Sequence, residues 1–252
     1  MIRIDQVSKS YGNTLVVDGV SLDLPKGGLT SIIGPNGAGK STLLSMIARL
    51  TAMDQGSVLV DGLDVAHTSG EVLARRLSML RQDNQMTARL TVTDLVSFGR
   101  YPYSKGRLTA EDRAEVDKAL AYLGLTDLSH RFLDELSGGQ RQRAFVAMVL
   151  AQDTGYMLFD EPLNNLDISH SVAMMKLLRQ AADDFGKTAV VVLHDINFAS
   201  CYSDHIVVMQ NGRAALQGTP SEIIRPEVLT AIFGCPFTVQ EINGNRIAVY
   251  FR

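Results

Sequence analysis

The first part of the chain alternates between apolar and polar residues, with apolar side chains at Ile2 and Ile4 and at alternate positions through 15–24. A period of two is typical of strands that bury one face. The Gly-Asn pair at 12–13 and the Pro/Gly-containing residues 25–28 supply turns between such strands. The pattern therefore predicts antiparallel strands at the N-terminus.

A second pattern begins at residues 29–33, which are predicted to form a short buried strand followed by a glycine-rich loop and an apolar-periodic helix. Strand-like segments follow at 57–62 and 76–82. After Gly155 the chain alternates between strands and helices, at 156–162, 168–185, 188–195, 196–203 and 205–218. Alternation of this kind is typical of an α/β fold with a largely parallel sheet.

The stretch from about residue 83 to residue 152 is predicted to be helical throughout. Apolar residues recur at helical spacing in 91–100, 109–124 and 138–152. Thr93 and Thr109 are the candidate N-caps, and Gly124 is a candidate C-cap.

We therefore predict one domain over residues 1–252, with a core at about 1–82 and 155–252 and an inserted helical subdomain at about 83–154. Residues 237–251 alternate on both sides of an Asn-Gly pair at 243–244, which predicts a C-terminal hairpin.

Composition narrows the class of protein. A formal net charge of −3 on 252 residues gives no field that would gather nucleic acid over the whole surface, although a local basic patch stays open. Cys201 and Cys235 fit no metal or disulfide spacing, so we expect buried free thiols and a reducing compartment. The start lacks a secretory signal, and no apolar run approaches the roughly 18 residues that span a bilayer. A cytoplasmic location is the expectation.

The motif "GPNGAGKST" at 34–42, here called the phosphate loop, matches G-x-x-x-x-G-K-[ST]. In this pattern backbone N–H groups wrap phosphate oxygens, the lysine neutralises β/γ charge and the following hydroxyl binds Mg²⁺. The alternative is a glycine turn that happens to precede a lysine; the flanking strand and helix favour the phosphate loop. The predicted nucleotide-binding residues here are Gly34, Pro35, Asn36, Gly37, Ala38, Gly39, Lys40, Ser41 and Thr42, with Ser41 also a metal ligand.

Two carboxylates follow the apolar strand "YMLFDEP". Asp160 is predicted to hold the metal through water, and Glu161 is placed to act as general base on the attacking water. The alternative is an acidic pair that caps a helix.

Gln82 and His194 also follow predicted strands, "RLSML" and "TAVVVL". We expect Gln82 to orient water and contact Mg²⁺, and His194 to hydrogen-bond a γ-phosphate oxygen, so that with Glu161 and Lys40 they form the catalytic set. A lone Gln or His at a strand end is more often structural. The carboxyl ends of parallel strands, where ligands of open sheets bind, favour the functional interpretation.

A second glycine-containing segment, "LSGGQ" at 136–140, precedes another helix. Its Ser137, Gly138, Gly139 and Gln140 sit where a helix dipole and exposed backbone N–H groups favour an anion. One chain thus carries two candidate anion sites. Tyr11 lies in a turn before the phosphate loop, and two interpretations stay open: stacking on a nucleotide base, or packing on its hairpin.

Together, "GPNGAGKST", Gln82, "LSGGQ", "YMLFDE", "NNLD" and "LHD" resemble the ATP-binding subunits of ABC transporters over nearly the whole chain. The resemblance implies a P-loop NTPase with a RecA-like core, an N-terminal antiparallel β-subdomain and an inserted helical subdomain. It also implies ATP and Mg²⁺ as ligands and a homodimer in which "LSGGQ" (below, the signature segment) closes over the partner's nucleotide. In that family Asp167 of "NNLD" helps to join the two sites, and Tyr11 would stack on adenine.

Segments such as "LVSFGRYPYSKGRLTAED" and "EPLNNLDISHSV" are similar to ATPases of bacterial ferric-siderophore importers, in particular the catecholate-type branch with its petrobactin and enterobactin systems. This implies membrane permease subunits, an indirect link to a substrate-binding protein, a place at the cytoplasmic face of the membrane and no nucleic-acid partner. Haem and cobalamin importers, an exporter ATPase and a soluble ABC protein acting on nucleic acid or ribosomes are the alternatives. Residues 83–103 are the candidate permease surface, with ordinary packing on the insert as the other interpretation.

Overall fold

The structure, a computed structural model, describes residues 1–82 and 88–251. Its first strands follow the predicted alternation, because their buried positions are every second residue in the regular parts. The strands are β1 (Ile2–Tyr11), β2 (Thr14–Leu24), β3 (Gly28–Ile33), β4 (Gln55–Val60), β5 (Leu63–Asp64), β6 (Leu77–Leu80), β7 (Tyr156–Asp160), β8 (Thr188–Val192), β9 (His205–Gln210), β10 (Arg213–Gly218), β11 (Thr238–Ile242) and β12 (Asn245–Val249).

The α-helices alternate with strands in the core and follow one another directly in the insert. They are α1 (Lys40–Ile47), α2 (Gly70–Ala74), α3 (Val92–Ser97), α4 (Tyr101–Ser104), α5 (Ala110–Tyr122), α6 (Gly138–Ala151), α7 (Ile168–Asp184), α8 (Ile196–Tyr202), α9 (Pro220–Ile223) and α10 (Pro226–Phe233).

Two sheets carry the core. Within the described residues, an antiparallel sheet has the order β2-β1-β4-β5, and a larger sheet has the order β10-β9-β3-β8-β7-β6. The larger sheet is parallel except for its β9–β10 edge pair. Its order places β3, which leads into the phosphate loop, beside β8 and one strand from β7, so the carboxyl ends of these strands share one edge.

The larger sheet is buried on both faces, as expected for parallel strands. On β7, Leu158 packs with α1 and the antiparallel sheet, whereas Met157 and Phe159 pack with α6 and α7 on the other face. The antiparallel β-subdomain and the inserted helices therefore lie on opposite sides of one shared sheet.

The inserted region departs from the prediction in two places. Helix α3 is capped by Thr91, whose hydroxyl accepts from the Asp94 N–H at 3.1 Å, and not by Thr93, whose hydroxyl donates to the Ser129 carbonyl. The capping-box spacing from Thr91 to Asp94 was the signal that separates the two threonines. The region is also not helical throughout, because Thr91 forms a β-bridge with Phe132.

Other local predictions have mixed outcomes. Thr109 caps α5, and Gly124 has the positive φ of 64° expected just after a helix. The hairpin forms as β11 and β12. Cys235 is exposed and Cys201 is only partly buried, so the prediction of two buried thiols is wrong. Across the described residues, every helix is too short or too polar to cross a membrane.

Candidate functional site

The phosphate loop connects β3 to α1 through backbone conformations that favour glycine. Gly34, Gly37 and Gly39 have φ values of 143°, 77° and 92°. A Cβ on Gly34 would meet the Met209 carbonyl oxygen at 2.0 Å, and one on Gly39 would meet the Val16 carbonyl oxygen at 2.6 Å. The loop therefore favours glycine at all three positions for its backbone conformation, and at Gly34 and Gly39 for packing as well.

Lys40 opens α1 and is buried, with 5% of its surface exposed. Its Nζ donates to the carbonyls of Gly34 at 2.8 Å and Pro35 at 3.0 Å, so the side chain folds back over the loop. Burial lowers the pKa of Lys40, and the carboxylates of Glu161 and Asp160 oppose that shift. A cation held this way lies next to the uncapped N–H groups of α1, where an anion would bind.

Asp160 ends β7 at the same edge and is also buried. Its Oδ1 accepts a 2.8 Å hydrogen bond from the Ser41 hydroxyl. Desolvation raises the pKa of Asp160, although the hydrogen bond from Ser41 opposes the shift. A buried carboxylate beside a hydroxyl is a suitable pair of oxygen ligands for a hard divalent cation.

Glu161 has a φ of 50°, an unusual backbone conformation for a residue with a long side chain. Its carboxylate contacts His194 Nε2 at 2.6 Å and accepts from Gln82 Nε2 at 2.7 Å and Asn164 Nδ2 at 2.6 Å. The structure thus brings together Glu161, Gln82 and His194, as predicted, and adds Asn164. The first asparagine of "NNLD" carried no signal for this contact, which depends on the turn after β7.

Gln82, Glu161 and His194 border an open cavity of about 360 Å³. Val16 of β2 also contributes to it, which the sequence did not predict. Tyr11, by contrast, is exposed at the β1–β2 turn, with Lys9 Nζ 5.7 Å from its ring centre. The lining among the described residues is Val16, Asn36, Gly37, Ala38, Gly39, Lys40, Ser41, Thr42, Gln82, Glu161 and His194.

Ser41, Asp160 and Gln82 offer a hydroxyl, a carboxylate and an amide oxygen near the phosphate loop. Within residues 1–82 and 88–251, three or more His, Cys, Asp or Glu side chains nowhere cluster as a metal site. The three oxygen donors fit Mg²⁺, which commonly binds through one or two protein ligands together with phosphates and water.

Residues 136–140, the signature segment, do not line this cavity. Ser137 is the N-cap of α6: its hydroxyl accepts from the Gln140 N–H at 3.3 Å, and its own N–H donates to the Gln140 side chain at 3.0 Å. Gly138 is exposed and Gly139 is buried. Within one chain, the cavity and the signature segment are therefore formed by different residues.

Asp167 is the N-cap of α7 and is exposed. Its Oδ1 accepts from the His170 N–H and contacts His170 Nδ1, both at 2.8 Å. These hydrogen bonds lower the pKa of Asp167. The neighbouring Ile168 is 83% exposed.

Comparisons with known proteins agree with the geometry. A family model described as ABC transporter matches residues 17–164. The chain is 52% identical to a petrobactin import ATP-binding protein of Bacillus subtilis (strain 168), over the full length of both chains. It is 41% identical to a ferric enterobactin transport ATP-binding protein of Escherichia coli (strain K12), with 98% of this chain and 93% of that one covered.

Solved structures are similar over most of the chain. A structure described as an inward-facing ABC transporter of metal-chelate type matches with a TM-score of 0.83 and 25% identity, covering 98% of this chain and 95% of that one. A bacterial ABC transporter cassette solved as a dimer matches with a TM-score of 0.77 and 28% identity, covering 87% and 99%.

Proposed function

This chain belongs to the ABC transporter family, and from that premise we propose that it is the ATP-hydrolysing subunit of a bacterial importer for ferric siderophores. The observation that supports a ferric siderophore as the cargo is the 52% identity, over both full chains, to a petrobactin import protein. The ferric enterobactin relative belongs to the same cargo class.

We propose that the phosphate loop binds the ATP phosphates. Backbone N–H groups of the phosphate loop and of the start of α1 would face the phosphate oxygens, because α1 has no side-chain cap and residues 36–42 line the cavity. Lys40 would move from the Gly34 and Pro35 carbonyls to the β/γ oxygens, a short shift of a flexible side chain. Tyr11 is proposed to stack on the adenine.

Ser41, Asp160 and Gln82 would hold Mg²⁺, which when bound neutralises charge on the transferred phosphoryl group. Glu161 is proposed to accept a proton from the attacking water. Its contacts with His194, Gln82 and Asn164 hold the carboxylate at the cavity, so little reorganisation is needed. His194 would also donate to a γ-phosphate oxygen.

A second copy of the chain is proposed to complete each site. Ser137, Gly138, Gly139 and Gln140 begin a helix that is exposed at Gly138 and do not line their own cavity, as expected if they face a nucleotide held by a partner. Asp167 and the exposed Ile168 would lie at the same contact. ATP would then favour the closed pair, and hydrolysis would remove that preference.

The permease is proposed to dock on the exposed apolar side chains Val72, Phe98 and Tyr101, here called the docking patch. Arg75 Nε donates to the Pro102 carbonyl at 3.1 Å, which joins the α2 and α4 parts of the patch. Residues 83–87 of the predicted permease surface lie outside the described residues. A place at the cytoplasmic face of the membrane, a substrate-binding protein acting through the permease, and no nucleic-acid partner complete the proposal.

The test is turnover in the assembled transporter. The tagged chain would be recovered from membranes with its permease, placed in lipid vesicles and supplied with substrate-binding proteins loaded with ferric petrobactin, ferric enterobactin, haem or cobalamin. We expect a ferric siderophore to stimulate ATP hydrolysis and to enter the vesicles, with Glu161→Gln as the inactive control. Stimulation by haem or cobalamin alone, or by RNA or DNA, would overturn the proposal.

A further inference from the structure

The first turns of α6 and α7 meet at the imidazole of His170. A Cβ on Gly139 would lie 2.4 Å from His170 Cδ2 and 3.0 Å from Cγ and Nε2. Real Cβ contacts are not this short, so the ring lies directly against the Gly139 backbone. Gly138 differs, because a Cβ there would meet no described atom within 4 Å. A side chain at 139 would therefore displace the His170 ring, whereas one at 138 would not.

The opposite edge of the same ring is held by Asp167. Nδ1 lies 2.8 Å from Asp167 Oδ1, which also accepts the His170 backbone N–H at 2.8 Å. One imidazole thus contacts the N-cap of α7 on one edge and the first turn of α6 on the other. The side chains of His170 and Asp167 are half exposed or more, so they contribute little to the buried core.

We propose that His170 is a positioning residue that fixes the signature segment to Asp167, so that both approach the second copy as one unit. The inference rests on the proposed composite site. Without the ring, α6 and α7 would keep their own caps, at Ser137 and Asp167, but would lose this direct contact between their first turns. The expected defect is in hydrolysis after ATP has bound, because His170 lies outside the described lining of the cavity.

A double-mutant cycle tests this contact. His170→Ala, Gly139→Ala and the double variant would be compared in the permease complex recovered from membranes, measuring kcat, KM for ATP and the unfolding midpoint. We expect His170→Ala to lower kcat roughly threefold or more with KM for ATP unchanged. We expect the double variant to lose less than the product of the two single losses, because removing the ring makes room for the new methyl group.

His67→Ala is the matched control. His67 pairs with Asp64 at the same three-residue spacing, with Nδ1 2.9 Å from Oδ2, but its side chain is 86% exposed. The kcat of the His67→Ala variant should equal that of the wild type. A wild-type kcat in His170→Ala, or losses that simply multiply in the double variant, would overturn the inference.

The same measurements separate this inference from the proposed function. If wild-type complex hydrolyses ATP and His170→Ala matches it, the positioning role alone fails. If the wild-type complex does not hydrolyse ATP, the proposed function fails and the inference fails with it.

Discussion

Helices α1 and α6 both begin beside glycines, but their first turns differ in what satisfies the free N–H groups. Helix α1 follows Gly39, which has a φ of 92° and no side chain to cap the helix. Helix α6 follows Ser137, which forms a reciprocal capping box with Gln140. A helix has up to four N–H groups without an internal partner, so α1 leaves its first turn open to a ligand while α6 already satisfies part of its own.

The groups around the first turns of α1 and α6 also differ. Lys40, Asp160 and Glu161 place charge beside α1 in a cavity. The start of α6 has no acidic residue in its first turn, carries Arg141, is exposed at Gly138, and is contacted at Gly139 by His170. In the proposed function the same backbone dipole serves two tasks: α1 encloses an anion, whereas α6 presents an exposed helix start to one. Each prediction below tests one side of this comparison.

The largest effect is expected at the α1 side for Glu161→Gln. Loss of a positioned general base typically costs about 10²–10⁴-fold in rate, whereas the amide keeps the size of the side chain. ATP turnover should fall by that factor while ATP binding and ATP-dependent pairing persist, as measured by nucleotide titration and size-exclusion chromatography of the complex. Glu241→Gln on the exposed β11 is the control. Turnover within tenfold of wild type would contradict the assignment.

Lys40→Ala comes next and tests whether α1 alone can hold the nucleotide. Because Lys40 is the cation folded over the phosphate loop, its loss should lower ATP turnover by about 10²–10³-fold and weaken nucleotide binding. Equilibrium titration with a fluorescent ATP analogue measures the binding part. Lys118→Ala on α5 is the matched control. Unchanged affinity would mean that the backbone N–H groups bind the phosphates without help.

Two serine/threonine caps offer a matched pair for the α6 side. Ser137→Ala and Thr109→Ala each remove the start of a capping box, so each should lower the free energy of unfolding by about 1 kcal/mol. Ser137→Ala should also lower ATP turnover roughly tenfold, the effect of losing one hydrogen bond to a charged phosphate. Denaturant unfolding and steady-state turnover measure the two effects. Equal turnover in the two variants would show that α6 is capped for stability alone.

The sequence predicts the α1 side better than the α6 side, because local pattern defines the phosphate loop and the strand ends. The fold class, the parallel sheet and the cluster around Glu161 all follow from strands that end at one edge. What it missed depends on approach between distant segments: Asn164 on Glu161, Val16 at the cavity and His170 against Gly139. Periodicity does not encode such contacts.

The prediction of a buried Cys235 failed for the same reason, whereas the prediction of Thr93 as the N-cap of α3 overlooked a local signal. Cys235 follows Gly234, the left-handed C-cap of α10, and is exposed, so an apolar neighbourhood in sequence does not bury the thiol. The N-cap of α3 was a local signal that could have been used, since Thr91 and not Thr93 has an acidic residue three positions later.

The smallest effect concerns stability and follows from Asp160, the buried carboxylate beside α1. Desolvation raises the pKa of Asp160, so the folded state disfavours its ionised form. This destabilisation grows as the pH rises from the carboxyl's unfolded pKa to its higher folded one, and it is absent below both values, where folded and unfolded chains are protonated alike. Above that window Asp160→Asn should therefore stabilise the nucleotide-free protein.

We expect the variant's melting temperature at neutral pH to rise by about 2–4 °C, which corresponds to about 1 kcal/mol at this chain length. The asparagine oxygen can still accept the hydrogen bond from Ser41, so packing is retained. Thermal unfolding measured across acidic and neutral pH should show the gain disappearing in acid. Asp5→Asn on an exposed position of β1 is the control. A lower melting temperature at neutral pH would show that the buried carboxylate stabilises the empty α1 site.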